Sequence, residues 1–207
     1  MLFRDRDHAA YQLAAALSAY QGKNPLVLAI PRGAVPMGRI IAEALGGELD
    51  VVLVRKLPAP FNPEYAIGSV DESGWTYVSD SAAAAGATPE YIEQEKQRQL
   101  ATIRRRRAEY TPLRPPIDPA GRIVIVVDDG LATGATMISA LHGLRERKPA
   151  KLVCAVPVAP SDTLDLVRQY ADDVVCLETP FSFQAVGQFY SDFPQVEDEE
   201  VVEIMRR

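Results

Sequence analysis

The stretch Arg122–Thr136, RIVIVVDDGLATGAT, constrains this chain more than any other. Ile123–Val127 is an unbroken apolar run, mostly β-branched and too short for a helix, which suits a parallel strand covered on both faces. It leads into Asp128 and Asp129, then into a turn of Gly130, Leu131, Ala132, Thr133 and Gly134, and from Ala135 into helical sequence. Small residues let backbone N–H groups approach an anion closely. Thr133 and Thr136 add hydroxyl donors, and the helix N-terminus adds roughly half a positive charge. A phosphate fits that cradle. The two carboxylates would repel the same phosphate, so they face another part of the ligand, sugar hydroxyls or a magnesium ion. The implied ligand is a ribose 5-phosphate. An ordinary capped turn between strand and helix requires neither two adjacent acids nor two glycines.

Hydrophobic strand, acidic pair and Gly/Thr-rich loop together, VVDDGLATGAT, resemble the signature of the type I phosphoribosyltransferases. The resemblance implies that Asp128 and Asp129 contact the ribose 2- and 3-hydroxyls of phosphoribosyl pyrophosphate (PRPP). It implies too that Gly130, Leu131, Ala132, Thr133, Gly134, Ala135 and Thr136 cradle its 5-phosphate. The activity implied is transfer of the 5-phosphoribosyl group to a nitrogen acceptor, a nucleobase in the family, with release of pyrophosphate. Mg²⁺ would arrive mainly through PRPP, with Asp128 reaching it through water. The alternative is a non-catalytic PRPP or nucleotide sensor on the same fold. A homodimer is the expected assembly.

The remaining composition sets bounds. At 207 residues and 47% hydrophobic content, the chain is expected to be a single domain over 1–207 with a substantial core. A net charge of -6 argues against a nucleic-acid or anionic-membrane surface, so positive charge should be local to a phosphate site. MLFRDRDHAAYQ contains no signal-peptide run, and no segment approaches the roughly 18 apolar residues that span a bilayer. A cytoplasmic location is expected. Cys154 and Cys176 sit in apolar runs without CxxC spacing, which predicts buried thiols. His8 and His142 are isolated and read as packing or surface residues. No GxxxxGK[ST] occurs, which rules out a P-loop NTPase.

Along the chain, Arg4–Ala19 has helical spacing at Ala9, Leu13, Ala16 and Leu17 and predicts a helix covering one sheet face. Leu26–Ile30 is a strand, Pro31-Arg32-Gly33-Ala34 a tight loop, and Val35–Leu45 a helix. Arg32 is placed to grip pyrophosphate, and Gly33 lets the backbone come close. PRGA looks like the short pyrophosphate loop of the family, which often carries a strained peptide bond. Leu49–Arg55 predicts another strand, after which Pro58, Pro60 and Pro63 are expected to forbid regular structure. Ala66–Ser79 reads as a hairpin around Glu72-Ser73-Gly74. Arg55 and Lys56, with Glu64-Tyr65-Ala66-Ile67-Gly68, are similar to an Arg-Lys pair and a Glu-Tyr-Gly in adenine-type members. That similarity nominates Arg55 and Lys56 for pyrophosphate and Glu64 for proton transfer; basic residues also end strands routinely.

Thr88-Pro89-Glu90 opens a helix to about Tyr110, whose Arg104–Arg107 complement the helix dipole. Beyond the central motif, Thr136–Arg147 predicts a helix, Lys151–Val158 a strand, Ser161–Tyr170 a helix capped by Ser161, and Asp173–Leu177 a strand. The result is an α/β fold, a doubly wound parallel sheet of five strands ordered 2-1-3-4-5. Its switch point sets the Arg32 loop beside the Asp128 loop. Hairpin and helix form a flap inserted over about 56–119. Within it, Lys56 to about Tyr77, with three prolines and little apolar anchoring, is expected to be mobile when empty and to order when Mg-PRPP binds. A C-terminal hood over about 179–207 carries Phe181, Phe183, Phe189, Tyr190 and Phe193, for core packing or for stacking a flat base, and an acidic helix from Glu197. Ala132 stands where 6-oxopurine members carry an aspartate that handles the N7 proton, which predicts that hypoxanthine and guanine are poor acceptors.

Overall fold

The computed structural model describes residues 2–207. Its first half contains α1 (Arg6–Ala16), β1 (Leu26–Ala29), α2 (Val35–Leu45), β2 (Glu48–Val51), β3 (Val54–Ala59), β4 (Asn62–Asp71) and β5 (Thr76–Val78). There follow α3 (Pro89–Tyr110), β6 (Ile123–Val127), α4 (Ala135–Arg145), β7 (Lys151–Val158), α5 (Ser161–Val167), β8 (Asp173–Glu178) and α6 (Asp198–Met205). The central sheet has 5 parallel strands in the order β2-β1-β6-β7-β8, which is the predicted 2-1-3-4-5. Alternation along β6 sends Ile125 and Val127 to one apolar cluster, with Leu13 of α1 and Ile41 of α2. Val124 and Val126 go to the other, with Ile138 of α4 and Leu164 of α5. A strand buried on both faces therefore needs an unbroken apolar run, as its sequence supplies.

The insertion between β2 and β6 departs from the sequence reading. The expected strand Leu49–Arg55 breaks at Val52 and Leu53, so Arg55 and Lys56 belong to β3 and not to the parallel sheet. The three prolines do not forbid strands. Pro58 lies on β3, an edge strand of the antiparallel sheet β3-β4-β5, where the register shifts, Pro60 lies in the turn, and Pro63 is at the start of β4. These are the places where a missing N–H removes no ladder bond. Nor is the segment short of anchoring: Leu57, Ala59, Ile67 and Val70 are buried, while the tip Phe61–Tyr65 is exposed. The antiparallel sheet lies between α3 and α4.

Thr88 caps α3 by accepting from Tyr91 N at 3.1 Å. Ser161 does not cap α5; the helix begins on it, after Pro160, without a side-chain cap bond. On α1 the buried side is Ala9, Ala10, Leu13 and Ala14, while Ala16 is exposed. Both cysteines are free, and burial raises their pKa values, so neither is a poised nucleophile. Among the described residues, no helix is long and apolar enough to cross a membrane.

Candidate active site

Strand pairing assembles the site. Ala29 of β1 stands beside Val127 of β6, so the loops leaving both carboxyl ends emerge together. The Pro31–Arg32 peptide bond in the first loop is cis. A Cβ built on Gly33 would lie 2.7 Å from Asp129 Oδ2 and 3.2 Å from Arg6 Nη2, so this approach requires glycine.

Asp128 Oδ1 accepts from Asp129 N at 2.8 Å. Asp129 accepts from Arg6 Nε at 3.2 Å, with side chains only 18% and 11% exposed. Tyr190 donates its hydroxyl to Asp129 O at 2.6 Å, and Arg6 stacks on Phe193 with its guanidinium carbon 3.9 Å from the ring centroid. Burial, followed by the neighbouring charge of Asp129, holds the Asp128 carboxyl well above its ordinary pKa. Burial raises Asp129 as well, against the opposing pull of Arg6.

The loop after the acidic pair is fixed from behind. Leu131 N donates to Val158 O at 2.9 Å, and Thr163 Oγ1 donates to Ala132 O at 2.7 Å. Gly134, at φ +82, is the N-cap of α4, and no side chain caps that helix. The first intrahelical bond is Ile138 N to Gly134 O at 2.9 Å, while Ala135 N reaches Thr133 Oγ1 at 3.4 Å. The N–H groups of Thr136 and Met137 are therefore left for a bound anion.

Of the residues nominated from sequence, the structure brings together Asp128, Asp129, Gly130–Thr136, Arg32 and Gly33. Arg32 forms an ion pair with Asp198 of α6 at 3.5 Å. Arg55 donates Nε to Gln99 Oε1 at 3.0 Å, and burial, then the nearby charges of Arg106, Arg32 and Arg105, lower its pKa. Lys56 pairs in register with Ser69, whose Oγ meets Ala135 O at 2.5 Å, so Lys56 lies on the α4 face of the sheet, exposed. Glu64 is exposed at the β4 tip and is not joined to the loops; its N–H donates to Asn62 Oδ1 at 3.2 Å. Beside Ala132 and Thr133 opens a cavity of about 500 Å³, walled by the β4–β5 sheet, α5 and the segment after β8.

The phosphoribosyl transferase domain profile matches residues 2–193. The chain belongs to the phosphoribosyltransferase family. A solved protein from Thermus thermophilus, TT1426, is 44% identical, with a TM-score of 0.82 over 100% of this chain and 98% of its own. Two Mycobacterium tuberculosis proteins, from strains CDC 1551 and H37Rv, provisionally named phosphoribosyl transferases, are each 41% identical over 210 residues. They match 100% of this chain, which spans 47% of their length, about half.

Sequence reasoning missed three residues that the structure places at this candidate site of the phosphoribosyltransferase-family chain. Arg6 read only as part of a covering helix, because its carboxylate partner lies 123 positions away. Tyr190 and Phe193 stood out as aromatic density, but nothing local tied them to the acidic pair. Among the described residues, no group of three or more His, Cys, Asp or Glu side chains converges on one point. Asp128 and Asp129 are hard oxygen donors suited to a partial Mg²⁺ shell completed by ligand oxygens.

Proposed function

We propose that this chain transfers the 5-phosphoribosyl group of Mg-PRPP to a ring nitrogen of a nucleobase-like acceptor and releases pyrophosphate. The supporting observation is the apposition of Gly33 and Asp129. It sets an arginine-bearing loop against the acidic pair, beside an uncapped helix whose N–H groups await an anion. One diphosphorylated ribose fits the three features in order: 5-phosphate on Thr133–Met137, ribose hydroxyls on Asp128 and Asp129, pyrophosphate toward Arg32.

The acceptor nitrogen lone pair forms the bond to ribose C1. The C1–oxygen bond breaks with its electrons passing to pyrophosphate, which also takes up the acceptor's surplus proton. Positive charge grows on the ribose as the bond breaks, and the acidic pair lies where it is stabilised. Asp128 would help to hold a Mg²⁺ brought by PRPP, whose charge would offset that of the leaving group. Arg32 and Arg55 would do so from the protein side. Burial disfavours the ionised form of Asp128 and Asp129 in the empty site, and hydroxyl donors and a cation would favour it.

Pyrophosphate release from Mg-PRPP, measured across purine and pyrimidine bases with PRPP binding followed in parallel, tests the reading. Base-dependent release is the expected result. Tight PRPP binding with no release for any base would indicate a sensor.

A further inference from the structure

Arg6 lies outside the two candidate loops, yet among the ion-paired arginines of the described residues its side chain is the most buried, only 11% exposed. We infer that Arg6 is a positioning residue for ribose recognition: it fixes the Asp129 carboxylate, the C-terminal segment fixes Arg6 in turn, and without it the site loses its preference for ribose over deoxyribose. This rests on the phosphoribosyl-transfer reading, which gives the acidic pair its ribose hydroxyls.

The place is an unfavourable one for a cation. Arg6 is the first residue of α1, where the backbone N–H groups carry partial positive charge, and burial strips a guanidinium of its water. Nor does the helix need it, since Asp5 already caps α1 by accepting from His8 N at 2.8 Å. What offsets both costs comes from distant parts of the chain. Arg6 Nε donates to Asp129 Oδ2 at 3.2 Å, Nη1 donates to Pro194 O, and the guanidinium carbon lies 3.9 Å from the centre of the Phe193 ring. Gly33 leaves room for the group: a Cβ there would stand 3.2 Å from Arg6 Nη2 and 3.3 Å from Nε.

The same C-terminal segment holds Asp129 by its backbone, through the Tyr190 hydroxyl on Asp129 O at 2.6 Å, and Tyr190 packs on Phe193 with ring centroids 4.8 Å apart. Asp129 is thus held at its carboxylate by Arg6 and at its carbonyl by Tyr190, with Phe193 joining the two. A planar guanidinium tied on an edge and on a face has little freedom to swing. That rigidity has a chemical use. A carboxylate distinguishes a hydroxyl from a C–H at the same ring carbon only when it is held within hydrogen-bond range of that one atom.

The test measures, by calorimetry on the full chain, the affinities of ribose 5-phosphate, 2-deoxyribose 5-phosphate and 3-deoxyribose 5-phosphate, with Mg-PRPP in parallel. Wild type should favour ribose 5-phosphate over at least one deoxy sugar by about tenfold or more, the scale of a hydrogen bond to a charged group. Arg6→Gln should shrink that ratio several-fold, with the loss falling on ribose 5-phosphate. Arg6→Lys, which restores the charge without the planar fork, should recover part of it. Phe193→Leu keeps the ion pair and removes the stack, so it should fall between wild type and Arg6→Gln, and it supplies the answer where Arg6→Gln does not fold by circular dichroism. Equal losses for ribose and deoxyribose sugars, as a merely structural role predicts, would overturn the inference. So would an unchanged ratio in the folded variants, or a wild type that binds Mg-PRPP but is indifferent to both hydroxyls. Those three results leave the PRPP site standing, whereas a wild type that binds neither Mg-PRPP nor any of the sugars would overturn both readings.

Discussion

Asp128 and Asp129 sit at the end of a β-branched strand, close to each other, with one cation, Arg6, beside the second. Each binds its proton more tightly in the folded chain than in the unfolded one. The folded state therefore gains from them at low pH and loses that gain as pH climbs from the ordinary 3.8 through their raised values. Asp128→Asn removes the ionisable group and keeps the shape. Its melting temperature should match wild type near pH 4 and exceed it increasingly toward neutrality, with about 2–4 °C for each kcal/mol regained in a chain of this size. Mg-PRPP affinity should fall at least tenfold in the same variant, because a site charge is being exchanged for stability. Thermal melts from pH 4 to 8 with calorimetry check both; a melting difference that shrinks with rising pH would contradict the assignment.

At the scale of the element, the β6–loop–α4 unit depends on Gly134. The sequence suggests that a side chain there would intrude on the phosphate. The structure instead aims it at α5, 2.9 Å from Thr163 Cγ2 and 3.3 Å from Val167 Cγ2, from a backbone at φ +82. Gly134→Val should therefore lower stability by about 1–3 kcal/mol, through strain and overpacking, as well as PRPP affinity. Wild-type melting with lost binding would favour the phosphate-clash account. What was legible follows the same division. The parallel sheet was readable because strands covered on both faces announce themselves as β-branched runs, and the two candidate loops could be nominated because their residue pattern is local. The β3–β4 ribbon was not, because proline is compatible with an edge strand at a bulge, and sequence alone does not say which strands are edges. The Arg6–Asp129 and Tyr190–Asp129 contacts join the chain's ends to its middle and leave no local trace.

Over the whole molecule, strand order does the organising. The β1–β6 neighbourhood brings the Arg32 loop and the acidic loop into contact, the insertion supplies Arg55 and one wall of the cavity, and the C-terminal segment closes over Arg6 and Asp129. These parts make sense together if one ligand bridges both loops, 5-phosphate at one end and pyrophosphate at the other. Calorimetry of Mg-PRPP, with ribose 5-phosphate and pyrophosphate as separate competitors, addresses that directly. The expected result is one PRPP per chain, weakened by either competitor in wild type, and by ribose 5-phosphate but no longer by pyrophosphate in Arg32→Ala. No PRPP heat, or PRPP binding that neither fragment displaces, would contradict a single site built from the two loops.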